Sequence, residues 1–511
     1  MGQTYDAGVI GSGPNGLAAA IRLAEHGRAV LLVEAREQLG GAVATQELTL
    51  PGFHHDTYSS VYPAGAASPV FRRLPLERYG LRWVHPPVAM AHPLSDGRAA
   101  ALYQDLDRTV VNLDAVAPHT GRGWRDFIAP YVAHFEALRH TMLGGFPPLG
   151  GGVHMLAGLG VGGSLEFARV LLLPAKELAR ELFGTGEEEA TAWLYGSSLH
   201  GDVPHWEAGS AITGVYLNLL GHGVGWPSPE GGAGRLAEAL TGYLHARGGQ
   251  TRVGAPVERV LTRSGRVRGV VAGGEEIRAD IVVGDVTPHG LLRLTGDALP
   301  AAYAARLRRY RYGDRTFKVD WALDGPIPWT ASEARQAGTV HVGGTAAEID
   351  LATRQQRAGA LPERPFMLLG QQSLADPTRA PAGKHTAWAY THVPDGVEWA
   401  RAREGFVERM EAHVERYAPG FRDRILARHV LTPGDFERHN RNLVGGDVGG
   451  GSYALDQLVF RPMPSLFPYR TPIRGLYIGS AATFPGGAVH GVGGDAAARL
   501  ALLESHIPRL R

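Results

Sequence analysis

The chain has 511 residues, 44% of them hydrophobic, and its 51 basic and 50 acidic side chains leave a formal charge of +1. That length exceeds one simple core and points to two domains, and the balanced charge without a basic tail gives no sign of a nucleic-acid partner. The chain contains no cysteine, which removes a redox-active disulfide, a thiolate metal site and a flavin tethered through sulfur.

The histidines are scattered, and the His54-His55 pair has the wrong spacing for two ligands on one face, so no metal is expected. No apolar run reads as long enough to span a bilayer. The first residues enter a strand directly, so no signal peptide is expected and the expected location is cytoplasmic, with a peripheral contact at the inner face of the membrane left open.

In chain order, Val9 and Ile10 end a buried strand that runs into Gly11-Ser12-Gly13-Pro14-Asn15-Gly16. Gly11 suits the tight turn, Gly13 the approach of a pyrophosphate, and Gly16 close packing of the helix on the strand. A helix is expected from Leu17 to His26, ended by Gly27, and then a buried strand Ala29–Val33 with Glu34 at its tip. A carboxylate there accepts from a ribose 2′-hydroxyl and repels a 2′-phosphate, so the expected ligand is FAD or NAD. Gly40-Gly41 follows, as a backbone running close to the cofactor's phosphates requires.

Residues 50–62 read as extended and 63–69 as a loop. From about 123 to 220 the pattern is mainly helical, with Pro130 and Pro174 expected to bend it and a glycine-rich loop expected at 144–163. The apolar segment Phe167–Leu173 reads as core, tunnel wall or a surface that dips into a membrane. A helix with Leu236, Leu240, Tyr243 and Leu244 on one face follows, then β runs at 255–262, 266–271 and 275–277, and a strand at 281–283.

The strand 316–323 alternates, placing Lys318, Asp320 and Ala322 on one face. Lys318 is then either a solvent-facing residue or a cation set in a pocket. At the end, the strand Leu476–Ile478 leads through Gly479, Gly486, Gly487 and the loop to Gly494 into a helix at 495–503. Backbone N–H groups and the positive helix end suit the part of a flavin where negative charge gathers on reduction.

The Gly-Gly pair after the acidic strand tip, the closing Leu-Tyr-Ile-Gly…Pro-Gly-Gly…Gly signature and Ser452-Tyr453-Ala454-Leu455-Asp456-Gln457-Leu458 resemble the bacterial-type FAD-dependent phytoene desaturase family. That family includes ketolase-like and pyridine nucleotide-disulfide oxidoreductase domain-like relatives, within the wider flavin amine oxidase group. The resemblance implies an α/β (overall α+β) fold. Its Rossmann-type FAD-binding domain would be assembled from 1–70, 225–290 and 440–511. A mixed sheet-and-helix substrate domain would take 71–224 and 291–439.

It implies that Gly11, Gly13, Pro14, Asn15, Gly16, Glu34, Ala35, Arg36, Gly40, Gly41 and Ala42 hold the ADP half, with Val257 by the adenine. Gly479, Gly486, Gly487, Val489, His490 and Val492 would lie along the flavin. Lys318 matches the lysine that holds a water near flavin N5 in amine oxidases, and Phe484 and Tyr453 would wall the reacting centre. Ala42, Phe484 and His490 depart from residues common in relatives, near the flavin and substrate.

The activity implied is hydride removal from a C–H bond of an apolar carotenoid- or isoprenoid-like substrate onto flavin N5. A single nucleotide motif leaves oxygen or a quinone as the expected electron acceptor. The alternatives are a flavin amine oxidase and a non-catalytic FAD-containing binding protein.

Overall fold

The computed structural model describes residues 4–506. Its first sheet carries the nucleotide motif. Thr4–Ile10 pairs in parallel with Val30–Val33 on one side and with Glu275–Gly284 on the other, and Gln250–Arg252 adds an edge beside Val30–Val33. The strand Glu275–Gly284 has two roles. Its first half closes an antiparallel meander with Val257–Arg263 and Arg266–Ala272, and its last residues pair in parallel with Leu476–Ile478. The strands at 255–262, 266–271, 275–283 and 476–478 thus stand where their patterns place them, with 275–277 and 281–283 fused into one strand.

The central strands are buried on both faces because helices cover them. Pro14–Glu25 and Val492–His506 pack together, and Gly234–Ala246 packs on Pro14–Glu25. Leu236, Leu240, Tyr243 and Leu244 are all buried on that helix.

A second sheet runs in the order Ile425–Leu431, Arg315–Leu323, His385–Val393, Met367–Gly370, Ala337–Val342, Val88–Pro93, Ala99–Leu102. Only the pairing of Ala337–Val342 with Val88–Pro93 is parallel. Arg315–Leu323 is a central strand, buried on both faces from Thr316 on, so the solvent-facing position open to Lys318 in the sequence is excluded.

The segment 123–220 is helical, with several departures from expectation. Pro130 sits inside Thr120–Ala133, and the chain restarts at Phe135–Met142. Pro174 kinks nothing, because one helix has ended at Leu172 and the next begins at Ala175. The loop expected at 144–163 is a helix from Leu149 to Leu172, broken locally at Gly160, whose φ is 68°. Glycines normally weaken a helix; here they let it lie against its neighbours. A Cβ on Gly151 would stand 2.5 Å from the Thr141 backbone, and one on Gly158 2.8 Å from the His134 ring.

By length and composition this helix could cross a bilayer, which corrects the expectation that no such run exists. Residues 63–69, expected as a loop, form the short helices Pro63–Ala67 and Pro69–Arg73. Each has proline at its first position, and the Ser68 side chain accepts from the Val70 and Phe71 N–H groups. Residues 50–62 contain only the short strand His55–Asp56.

Candidate functional site

The turn after the first strand is built for a phosphate-bearing ligand. Gly11 has φ 91°, and a Cβ on Gly16 would stand 2.0 Å from the Gly11 carbonyl oxygen. The helix therefore starts hard against the turn that its own glycines form. A Cβ on Gly41 would stand 2.9 Å from Gly13 Cα, so the two glycine segments touch and leave bare backbone over the helix N-terminus. Glu34 is buried at its strand tip. Its Oε2 accepts from the Ser12 N–H (2.8 Å) and hydroxyl (2.6 Å), and its Oε1 from the Arg36 N–H at 3.0 Å. Oε2 is filled by these two donors, and Oε1 keeps acceptor capacity for a ribose hydroxyl.

These groups open on a cavity of about 620 Å³, a size ordinary for a cofactor or ligand site. Of the residues read from the sequence, Gly11, Gly13, Pro14, Asn15, Glu34, Ala35, Arg36, Gly41, Ala42, Val257, Gly487 and Val489 line it. Gly16 and Gly40 stand behind this wall. Gly479 lies against the closing helix, where a Cβ would be 2.7 Å from Ala497 Cβ, and Val492 is buried at that helix's start. Gly486 lies beside the Arg461 guanidinium.

His490 does not reach the cavity. Its Nδ1 accepts from the Val492 N–H at 3.1 Å and its Nε2 is 3.0 Å from the Gly487 carbonyl oxygen, so the ring staples the glycine loop to the closing helix. Burial lowers its pKa to about 4, so it does this as neutral imidazole.

The three residues assigned to the reacting centre also stand back from the cavity. Phe484 packs on Phe146, ring centroids 5.4 Å apart. Tyr453 lies under Gly487, with the Arg461 guanidinium 5.1 Å from its ring centroid. Lys318 is 1% exposed. Its Nζ donates to the Asp56 carbonyl at 3.1 Å and pairs with Asp320. The Trp388 ring, 5.8 Å from Nζ, lines the cavity beside it. The alternation that put Lys318 and Asp320 on one face is present, and it makes them partners.

Sequence reasoning missed several lining residues. Asp285 follows the Glu275–Gly284 strand, and its Oδ2 accepts from the Gly16 N–H at 3.0 Å. Burial raises its pKa to about 7, against the pull of that N–H group. Tyr58 to Val61 form another wall, and Arg293, Arg438 and Arg441 stand at the mouth. His200, Leu217, Trp226, Thr339, Leu368, Trp388 and Tyr390 line the half of the cavity that the second sheet and its helices provide. No local motif marks these positions, though the Gly284-Asp285 step at a strand end was a readable signal for Asp285. No group of three or more metal-ligating side chains occurs among the described residues.

Residues 9–74 match the NAD(P)-binding Rossmann-like domain family. Over 97% of this chain and 93% of its own length, the rat protein pyridine nucleotide-disulfide oxidoreductase domain-containing protein 2 is 29% identical. The all-trans-ζ-carotene desaturase of Myxococcus xanthus is 27% identical over 94% of this chain and 89% of its own. The solved structure of cyclohexylamine oxidase from Brevibacterium oxydans superposes with a TM-score of 0.61 at 17% identity, covering 98% of this chain and 100% of that one. The whole-length likeness to relatives that include carotenoid desaturases, and the fold shared with flavin-dependent oxidases, make this chain an oxidoreductase of the flavin-dependent kind, similar to the phytoene desaturases.

Proposed function

We propose that the chain is an FAD-dependent dehydrogenase of apolar substrates, related in chemistry to the carotenoid desaturases. One observation carries the reading: a single cavity runs from Glu34 and the paired glycine segments to a wall of Leu217, Trp226, Leu368 and Trp388. Cofactor and apolar substrate would therefore share one chamber. FAD, when bound, supplies the acceptor for a hydride removed from carbon.

The chain's own residues do the rest. Glu34 accepts from the ribose, Gly13 and Gly41 give the phosphates backbone contact, and Val257 packs by the adenine. Gly487 and Val489 face the flavin half. The aromatic and aliphatic wall holds the substrate and keeps water out. Lys318 contributes by fixing Trp388 in that wall. Electrons leave to oxygen or a quinone.

Apolar substrates live in membranes, and the Leu149–Leu172 helix suits contact with a lipid surface. Leu149, Val153, Leu156, Val161, Leu165 and Leu172 are all half exposed or more. No Asp, Glu, Lys or Arg occurs between Arg139 and Glu166. A patch of that kind is a burden to a protein that never leaves water.

Purified protein should be yellow, and anaerobic mixing with a polyene in liposomes should bleach the flavin. Colour that persists across the polyene panel would sink the substrate class. An amine oxidase is the second reading, favoured by the near-parallel Trp388 and Tyr390 rings, 6.0 Å apart, on the cavity wall. Peroxide release with amines would decide for it.

A further inference from the structure

Apart from the Tyr390 phenol, the substrate half of the cavity is apolar except along one strip. His200 lines the cavity. Its Nε2 lies 2.9 Å from Nε2 of His341, whose ring is fully buried and whose Nδ1 has no partner among the described residues. Thr339 lies two residues before His341 on the same face of the Ala337–Val342 strand and also lines the cavity. It is 3% exposed, and its Oγ1 has no partner among the described residues.

Gly196 makes room for this arrangement, since a Cβ there would stand 2.6 Å from His341 Nδ1. Burial depresses the pKa of both histidines, that of His200 to about 3, so the pair is two neutral rings sharing one hydrogen bond. Whichever ring donates, the Nδ1 atom of His200 is the only nitrogen of the pair able to meet a ligand: an acceptor in one tautomer and a donor in the other.

A pure hydrocarbon filling this half would leave the Nδ1 of His200 and the already buried Oγ1 of Thr339 without a partner. Burying unpaired polar groups is costly, and sites built this way discriminate strongly against the analogue that lacks the matching group. A carbonyl satisfies one tautomer only. A hydroxyl both donates and accepts, so it satisfies either tautomer of His200 and the Thr339 hydroxyl as well. An alkylammonium finds no carboxylate on this half, because the lining carboxylates, Glu34 and Asp285, stand at the dinucleotide end.

We propose that the apolar substrate of this cavity carries a hydroxyl group, received by His200 and Thr339 with His341 fixing the His200 ring. This rests on the dehydrogenase reading above and narrows its substrate class from polyene hydrocarbons to isoprenoid-like alcohols. His200 and Thr339 are specificity residues here, and His341 is a positioning residue.

The test uses FAD-loaded protein and matched pairs that differ by the hydroxyl: farnesol against β-farnesene, and geraniol against myrcene. Binding is read by quenching of tryptophan fluorescence, since Trp226 and Trp388 line the cavity. The alcohol of each pair should bind at least about tenfold more tightly than its hydrocarbon. His200→Phe should bring the two within about twofold. Thr339→Val, nearly isosteric and safe for folding, should narrow the gap by about threefold.

Equal or tighter binding of the hydrocarbons, failure of both members of the pairs to bind, or a gap unchanged in both variants would overturn the proposal. The dehydrogenase reading is separable: hydrocarbons that bleach the flavin as readily as alcohols would leave that reading standing and remove this one. An alcohol preference in binding without any bleaching would do the reverse.

Discussion

Replacing Lys318 by methionine is the sharpest test of how the second sheet is held. The Lys318 ammonium pairs with Asp320, whose carboxylate is fully buried. The other cationic candidates near Asp320 are His55 at 3.8 Å and His429 at 3.9 Å. Burial pushes the His55 pKa down to about 4, so that ring does not compensate the carboxylate at neutral pH. Burial is the largest influence on Asp320 and would raise its pKa, but the Lys318 ammonium, the His429 hydrogen bond and His55 together outweigh it and hold the carboxyl below its usual range.

Removing one partner of a buried ion pair costs about 3–5 kcal/mol. For a 511-residue chain melting cooperatively that corresponds to a fall in Tm of roughly 3–5 °C by differential scanning calorimetry. The sign with pH follows. Asp320 in the parent chain has a depressed folded pKa, so its stabilisation is present above the unfolded carboxylate pKa and is lost as pH falls through the folded value. In Lys318→Met the unpaired carboxylate would instead take up a proton, so the deficit should be large at pH 8 and shrink toward pH 5.

The double variant Lys318→Met/Asp320→Leu removes both charges and should recover most of the loss. An unchanged Tm in the single variant, or a double variant as unstable as the single, would refute the reasoning. The same pair separates two roles for the lysine. If the double variant regains stability and flavin reduction together, Lys318 supports the wall. If stability returns without reduction, it acts on the cofactor.

Glu34→Ala should weaken FAD binding by about 10- to 150-fold, the worth of a charge-assisted hydrogen bond, read by equilibrium dialysis with flavin fluorescence; unchanged retention would remove Glu34 from the ribose. Asp285, with its folded pKa raised to about 7, destabilises the apoprotein progressively as pH rises from about 4 through 7. Asp285→Asn should therefore melt higher than the parent at pH 8, by a margin that narrows steadily toward pH 4, and a margin that does not change with pH would contradict the raised pKa. Leu156→Asp/Leu165→Asp alters exposed side chains, so it should leave Tm within about 1 °C while lowering co-sedimentation with phospholipid vesicles at least tenfold; undiminished co-sedimentation would move the lipid contact elsewhere.

Much of the nucleotide-binding sheet was legible because its determinants are local. A Gly11 turn, a helix pressed on it at Gly16 and an acid at the next strand tip are consequences of backbone geometry within some thirty residues, and they read the same in any context. The helix at 149–172 was misread for the opposite reason. Its glycines signal a loop when taken alone, and only the helices against which Gly151 and Gly158 pack turn them into close-approach positions. Lys318 was placed on the correct face of the correct strand, yet its partner Asp320 is two residues away and the Trp388 that stands between it and the cavity comes from the neighbouring strand.

By itself, then, the sequence determined the glycine turn, the acid at the next strand tip and the layout of strands that carries them, because backbone N–H groups and one carboxylate make a nucleotide-binding pattern through short-range geometry. The tertiary structure decided the substrate half. Trp388, Thr339 and His200 lie on separate segments, and their meeting depends on how the second sheet and its helices close over the cavity. Burial, which no linear pattern records, makes His200 and His341 a neutral pair and sets Lys318 behind the wall instead of in it.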